Sequence, residues 1–206
     1  LYYTIIAGNA KFPLEVFNSS GVNVYQTNTG NDLRGAWWNK KTGQIEANCA
    51  TSDGWISIGL DDKGFPSMGN NSIYSGANHQ PDMNAVGAYD GKKYVYYWWN
   101  GAVHLYSRKT GELFDKKSTI VMKGQMTDLN ITTLIYTGQK KHEIGLLDWV
   151  NKRIYLFNVK DMVQSAVIQL PSTAVTYDRF RFSYANKHAF LFDADNREWV
   201  GYRIFN

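Results

Sequence analysis

A single cysteine, Cys49, excludes an internal disulfide framework and any zinc site built from several cysteines. It reads as a small buried hydrophobe, because the sequence supplies no visible base to activate it as a nucleophile. No run of about 18 apolar residues occurs, so no membrane-spanning helix is encoded. No basic-then-apolar leader opens the chain. Leu1–Ile6 already reads as strand, as expected of a processed or trimmed product. The zincin, nucleophile-elbow and Walker patterns are all missing. Sequons at Asn18, Asn70 and Asn130 matter only in a eukaryotic secretory pathway.

Aromatic residues are plentiful: Trp 7, Tyr 14 and Phe 10. With abundant Val, Ile and Thr they favour strands over helices. Four aspartates then keep a period. Asp32, Asp82, Asp128 and Asp178 stand at intervals of 50, 46 and 50 residues. Each precedes an apolar run: Leu33–Trp38, Met83–Tyr89, Leu129–Tyr136 and Phe180–Tyr184. A fixed period of this length signals a repeat architecture.

Turn chemistry divides the repeat into strands. Met83–Tyr89 ends at Asp90-Gly91-Lys92, and Tyr94–Trp99 ends at Asn100-Gly101, both hairpin signals. Ala102–Ser107 alternates apolar and polar residues, and Ser118–Met122 closes that unit as a fourth strand. The same order of strands A to D fits Leu33–Trp38, Gln44–Cys49, Trp55–Leu60 and Ser72–Tyr74. It fits again at Asn130–Tyr136, Glu143–Trp149, Arg153–Asn158 and Ala166–Leu170. Tyr2–Ala7, Pro13–Phe17 and Val22–Thr27 form a first unit lacking strand A. Phe180–Tyr184, His188–Asp193 and Trp199–Phe205 form a last unit lacking strand D. The units span residues 1–31, 32–81, 82–127, 128–177 and 178–206 of one all-β domain. Four-stranded antiparallel sheets at this period are the β-propeller pattern, with about five blades visible. Either the two ends pair to close a ring or flanking sequence has been lost.

Arg108-Lys109-Thr110-Gly111-Glu112-Leu113 and its shorter echo Lys40-Lys41-Thr42-Gly43-Gln44-Ile45 resemble the turns of bacterial propeller repeats of the YVTN, quinoprotein-like and TolB-like kinds. The resemblance is one of fold. It carries no catalytic residues across. Neither a WD signature nor the acidic constellation of glycosidase propellers is present.

Antiparallel strand order places the D–A and B–C loops at one face and the A–B and C–D turns at the other. The four aspartates are therefore expected around one channel mouth. They read as turn carboxylates, or as a ring of hard oxygen ligands for a divalent cation such as calcium. No cofactor is otherwise expected. The A–B turns carry Lys40, Lys41, Lys92, Lys93, Lys140, Lys141 and Lys187, and a ring of basic charge is expected on the opposite face. That charge reads as solvation of exposed turns, or as the surface for an anionic partner. Nucleic acid is disfavoured, because no dense basic stripe occurs.

His79 lies in the polar loop Asn78-His79-Gln80-Pro81-Asp82, where it could act with Asp82 as base or metal ligand. Trp37-Trp38 and Trp98-Trp99 read mainly as packing between sheets, with at most one ring of each pair on a given face. Trp149, beside a B–C turn, is the best candidate for an exposed ring. These features lead to a non-enzymatic recognition module of a secreted, periplasmic or cell-envelope protein, binding a protein or polysaccharide at its loop faces. The alternatives are a metal-assisted hydrolase or lyase at the aspartate mouth and a lectin-like carbohydrate binder.

Overall fold

Hairpin turns commit this chain to antiparallel pairing. Asn100 and Gly101 both take positive φ, 48° and 74°, the left-handed pair that matches the twist of the flanking strands. Asn186 and Lys187 do the same at 48° and 66°. In the computed structural model, residues 1–8, 13–50, 54–74, 80–82, 84–114, 120–121, 129–161 and 163–206 are described, with backbone alone at 68–74 and 120–121. Among them the protein is all-β, with strands, turns and no helix.

Among the described residues five sheets form, and strand order follows chain order in each. The first holds β1 (Tyr2–Ile5), β2 (Pro13–Phe17) and β3 (Asn23–Asn28). The second holds β4 (Leu33–Asn39), β5 (Gln44–Cys49), β6 (Trp55–Leu60) and β7 (Pro66–Tyr74). The third holds β8 (Ala88–Tyr89), β9 (Tyr94–Trp99), β10 (Ala102–Ser107) and β11 (Ile120–Val121). The fourth holds β12 (Leu134–Tyr136), β13 (Ile144–Asp148), β14 (Arg153–Asn158) and β15 (Val163–Gln169). The fifth holds β16 (Phe182–Ala185), β17 (His188–Asp193) and β18 (Glu198–Arg203). Antiparallel registers pair Tyr2 with Phe17, Ile144 with Phe157 and His188 with Arg203, the last two across short turns.

The opening strands of the later sheets are shorter than expected. β8 covers Ala88–Tyr89 rather than Met83–Tyr89, and β12 covers Leu134–Tyr136 rather than Asn130–Tyr136. A side-chain cap precedes each of these two strands. Asp82 Oδ1 accepts from Asn84 N at 2.8 Å, and the Asp82 carbonyl accepts from Ala85 N at 3.0 Å. Asn130 Oδ1 accepts from Thr132 N at 3.0 Å, and its carbonyl accepts from Thr133 N at 3.0 Å. β16 starts at Phe182 because Phe180 sits at φ 47°. β7 runs the other way, beginning at Pro66 rather than Ser72.

The chain packs as two compact units, residues 1–95 with 106–113 and residues 96–105 with 114–206. In the first, Leu14, Leu33, Ile45, Cys49, Ile56 and Ile58 form one buried cluster, with Tyr3, Ile5 and Leu60 against it. Each fully buried aliphatic side chain there contributes about 1.5–3 kcal/mol. Cys49 is thus a core residue, as its surroundings in the sequence imply. In the second, Ile135, Leu147, Ile154, Leu156, Phe182 and Leu191 do the same work, supported by Trp149, Tyr184 and Phe205. The tryptophan pair of β4 divides between faces. Trp37 stacks on buried Trp55 at 5.2 Å, whereas Trp38 is 51% exposed beside Tyr3.

Candidate functional site

Two hairpin turns of the first unit are built by side chains that fold back on their own backbone. In the β4–β5 turn, Asn39 Oδ1 accepts from Lys41 N at 3.0 Å, and the Asn39 carbonyl accepts from Gly43 N at 2.9 Å. In the β8–β9 turn, Asp90 Oδ1 accepts from the backbone N–H of Lys92, Lys93 and Tyr94 at 2.8, 2.7 and 3.0 Å. Such self-capping fixes the turns and sends the lysine side chains outward. Arg108, at the end of β10, is tied to the second turn by its N–H on the Lys93 carbonyl at 2.9 Å. Lys41, Thr42, Tyr89, Lys92 and Arg108 line a cleft of about 390 Å³, together with Asn39 and Gly91.

Glu46 stands behind the cleft and has no exposed surface. A buried carboxylate is costly unless fully hydrogen-bonded, and this one accepts from three residues. Asn39 Nδ2 donates to Oε1 at 2.5 Å, and Trp55 Nε1 donates to Oε2 at 2.9 Å. Arg108 donates from Nε to Oε2 at 2.9 Å and from Nη2 to Oε1, a two-point pairing. Burial pushes the Glu46 carboxyl up. Hydrogen bonds from Arg108, Trp55 and Asn39 outweigh it and hold the group below the ordinary glutamate value. The Arg108 guanidinium also lies over the Tyr89 ring, 5.6 Å from its centroid. Burial, then the Glu46 charge, raises the Tyr89 phenol above its ordinary value. The cleft thus has a fixed guanidinium on its wall and two turn lysines at its rim. Among the described residues neither Lys41 nor Lys92 is ion-paired.

The residues expected from the sequence fall in several places. Asp32 is clamped by Arg34 through two hydrogen bonds of 2.8 and 2.7 Å and accepts from Gly8 N at 2.9 Å. Its carbonyl accepts from Ala50 N at 2.8 Å, so it sits at the end of its sheet away from Lys40 and Lys41. Asp82 caps its own turn, and half-exposed Asp178 faces Arg179 Nε at 3.4 Å. Asp82 and Asp32 both accept backbone N–H groups, and Asp32 adds an ion pair with Arg34. His79 and Asp128 lie outside the described residues. Among the described residues no three His, Cys, Asp or Glu side chains gather as a metal-holding group. Trp149 is half-buried against the core of the second unit, and Val150, 50% exposed, is the more open residue of that turn.

Lys40, Lys140, Lys141 and Lys187 are exposed in A–B turns, as is Lys93, whose Nζ lies 5.0 Å from the centre of the Tyr94 ring. Lys187 Nζ donates to the Asn206 carbonyl at 2.5 Å. Of the expected basic residues, the cleft brings together Lys41 and Lys92. It adds Arg108, Tyr89 and Thr42, which sequence reasoning did not assign, and Glu46 behind them. One signal was available: Glu46 is a lone acid within Ile45–Cys49, an otherwise uncharged inner strand.

No family model and no curated protein matches this sequence. Among solved structures, the chain is similar to virginiamycin B lyase from Staphylococcus aureus at 9% identity and a TM-score of 0.41, over 97% of this chain and 66% of that one. It is also similar to Saccharomyces cerevisiae Sqt1 at 11% identity and a TM-score of 0.38, over 95% of this chain and 54% of that one. The chain therefore spans less than two thirds of either length. Neither likeness assigns a role to any residue here.

Proposed function

We propose that this chain is a recognition module that binds an anionic partner through its lysine-bearing hairpin turns, the five sheets being blades of a β-propeller. The propeller reading is supported by the 46–50-residue period and by sheets whose strands follow chain order. The binding reading rests on one observation. The β4–β5 and β8–β9 turns, 52 residues apart at Lys40 and Lys92, converge with Arg108 on a single positively charged cleft. Solvation alone gives no reason for cationic side chains to share a concave surface with a locked guanidinium, whereas an anionic ligand does. An acidic polysaccharide is the partner that fits best, because the charges are spaced along turns rather than packed into the stripe that a phosphate backbone requires.

Retention on an immobilised acidic polysaccharide such as heparin tests this reading. Binding at low salt that weakens steadily as salt rises supports it. No retention at any salt concentration overturns it.

A further inference from the structure

Among the described residues, which include every tryptophan of the chain, Trp38 alone is exposed, with 51% of its surface open. It stands near the end of β4, directly before Asn39 and the turn Lys40-Lys41-Thr42-Gly43. Alternation along the strand decides which side it faces. Trp37 and Asn39 point toward Trp55 and Glu46, the side of the cleft. Trp38 points the other way, to Tyr3 of β1. The two ring planes are parallel with centroids 6.5 Å apart, an offset stack. Tyr3 is fixed in its turn, the hydroxyl donating to the Gly64 carbonyl at 2.8 Å. The β4–β5 turn thus has the cleft on one side and a supported indole on the other.

Charge around the indole is divided. Lys40 and Lys41 are exposed in the turn that follows it. On the Tyr3 side, the β6–β7 turn carries exposed Asp61, Asp62 and Lys63, with negative charge in excess. Burial, then the Asp61 charge, raises the Tyr3 phenol above its ordinary value. An anionic group is therefore favoured beside the lysines and disfavoured beside Tyr3. The indole between them is left for an uncharged contact.

We infer that Trp38 is a sugar-stacking platform, on which one pyranose ring of an acidic polysaccharide lies while the anionic groups of that polymer meet Lys40 and Lys41. The inference rests on the recognition reading above and adds to it a contact that does not depend on charge. The C–H bonds on one face of a pyranose are weakly positive and suit the negative face of an indole. A large rigid ring offers contact area at little loss of conformational freedom, and the backing of Tyr3 lowers that loss further. A polyanion without rings presents the lysines with the same sign of charge but has no such face.

The test measures affinity for heparin and for poly(vinyl sulfate), a ring-free polyanion, at several salt concentrations. The proteins are the wild type, Trp38→Ala and Trp38→Thr. Both variants remove the ring, and threonine keeps the preference for a strand. Each variant should bind heparin about fivefold more weakly than the wild type. The factor should be the same at every salt concentration, because stacking displaces no ions. Affinity for poly(vinyl sulfate) should be unchanged. Heparin affinity equal to the wild type in both variants overturns the inference and leaves the recognition reading standing. A loss shared equally by the two polymers in both variants also overturns it, since Trp38 would then act only by supporting the lysine turn. A wild type that binds heparin at no salt concentration removes both readings.

Discussion

Arg108 and Glu46 are 62 residues apart in sequence and meet at two points, with Arg108 Nε donating to Glu46 Oε2 at 2.9 Å. The acid has no exposed surface, while the arginine side chain keeps 24% of its own. A buried ion pair is weak evidence of stability, since well-packed apolar residues often replace one without loss. What this pair does achieve is placement. It holds a guanidinium in the wall of a cleft that two lysine turns also line.

Removing one partner strands the other. Arg108→Met leaves Glu46 charged and buried with only Asn39 and Trp55 as donors. It should cost about 3 kcal/mol of unfolding free energy in urea titration. A loss under about 0.5 kcal/mol would show that solvent already stabilises the carboxylate.

The acid limb of stability should carry the mark of Glu46. Its folded-state pKa is depressed, so its contribution is present above the unfolded value of about 4.3 and is lost as pH falls through the lower folded value. Asp193 acts in the same direction, held below the ordinary aspartate value by the Asn196 side chain first and by backbone N–H groups after it. Thermal melts between neutral pH and pH 3 should fall for the wild type, and less steeply for Glu46→Gln. Parallel curves for the two proteins would remove Glu46 as a source of the acid sensitivity.

Asn48 fastens the segment before β8 onto β5. Its Nδ2 donates to the Ala85 carbonyl at 2.9 Å, and its Oδ1 accepts from Gly87 N at 3.2 Å. Asn48→Ala leaves both backbone groups buried without that partner, at roughly 1–3 kcal/mol each. Asn48→Asp keeps the acceptor and loses the donor, so it should be destabilised as well. Unfolding free energies equal to the wild type in both variants would show that the pin adds nothing.

Gly35 lies at the register shift in β4, under the Trp37 ring. A Cβ there would strike that ring and approach Val86 Cγ1 to 3.0 Å. Gly35→Ala is expected to lose about 1–3 kcal/mol through overpacking and to alter the near-ultraviolet signal of the Trp37–Trp55 stack. A variant with wild-type stability and spectrum would mean that Trp37 has room to move.

The strands were legible because their ends are written in turn chemistry. Tyr94–Trp99, Ala102–Ser107, Gln44–Cys49 and Arg153–Asn158 match the observed elements residue for residue. The Thr-Gly turns at Thr42-Gly43 and Thr110-Gly111 are the same local structure, each glycine donating to the carbonyl four residues back, at 2.9 and 2.7 Å. They nevertheless sit in different hairpins, after the first strand of one sheet and after the third of the next. The lysines of the cleft were legible as turn residues. Glu46 and Arg108 were not paired, because alternation reports which face a residue takes and says nothing of which distant turn folds over it. Asp32 directly precedes β4, whereas Asp82 and Asp178 stand several residues before β8 and β16, and Asp82 caps a turn while Asp32 also pairs with Arg34.

The proposed role of the lysine turns is tested most directly by salt-dependent retention on heparin, comparing the wild type with a variant carrying Lys41→Gln, Lys92→Gln, Lys140→Gln and Lys187→Gln. These four side chains are exposed in hairpin turns, so the fold should survive. The wild type should elute later than the variant at every salt concentration, with the steeper dependence on salt that more charge contacts produce. Identical elution of the two proteins would contradict the proposal that the lysine turns bind an anionic partner.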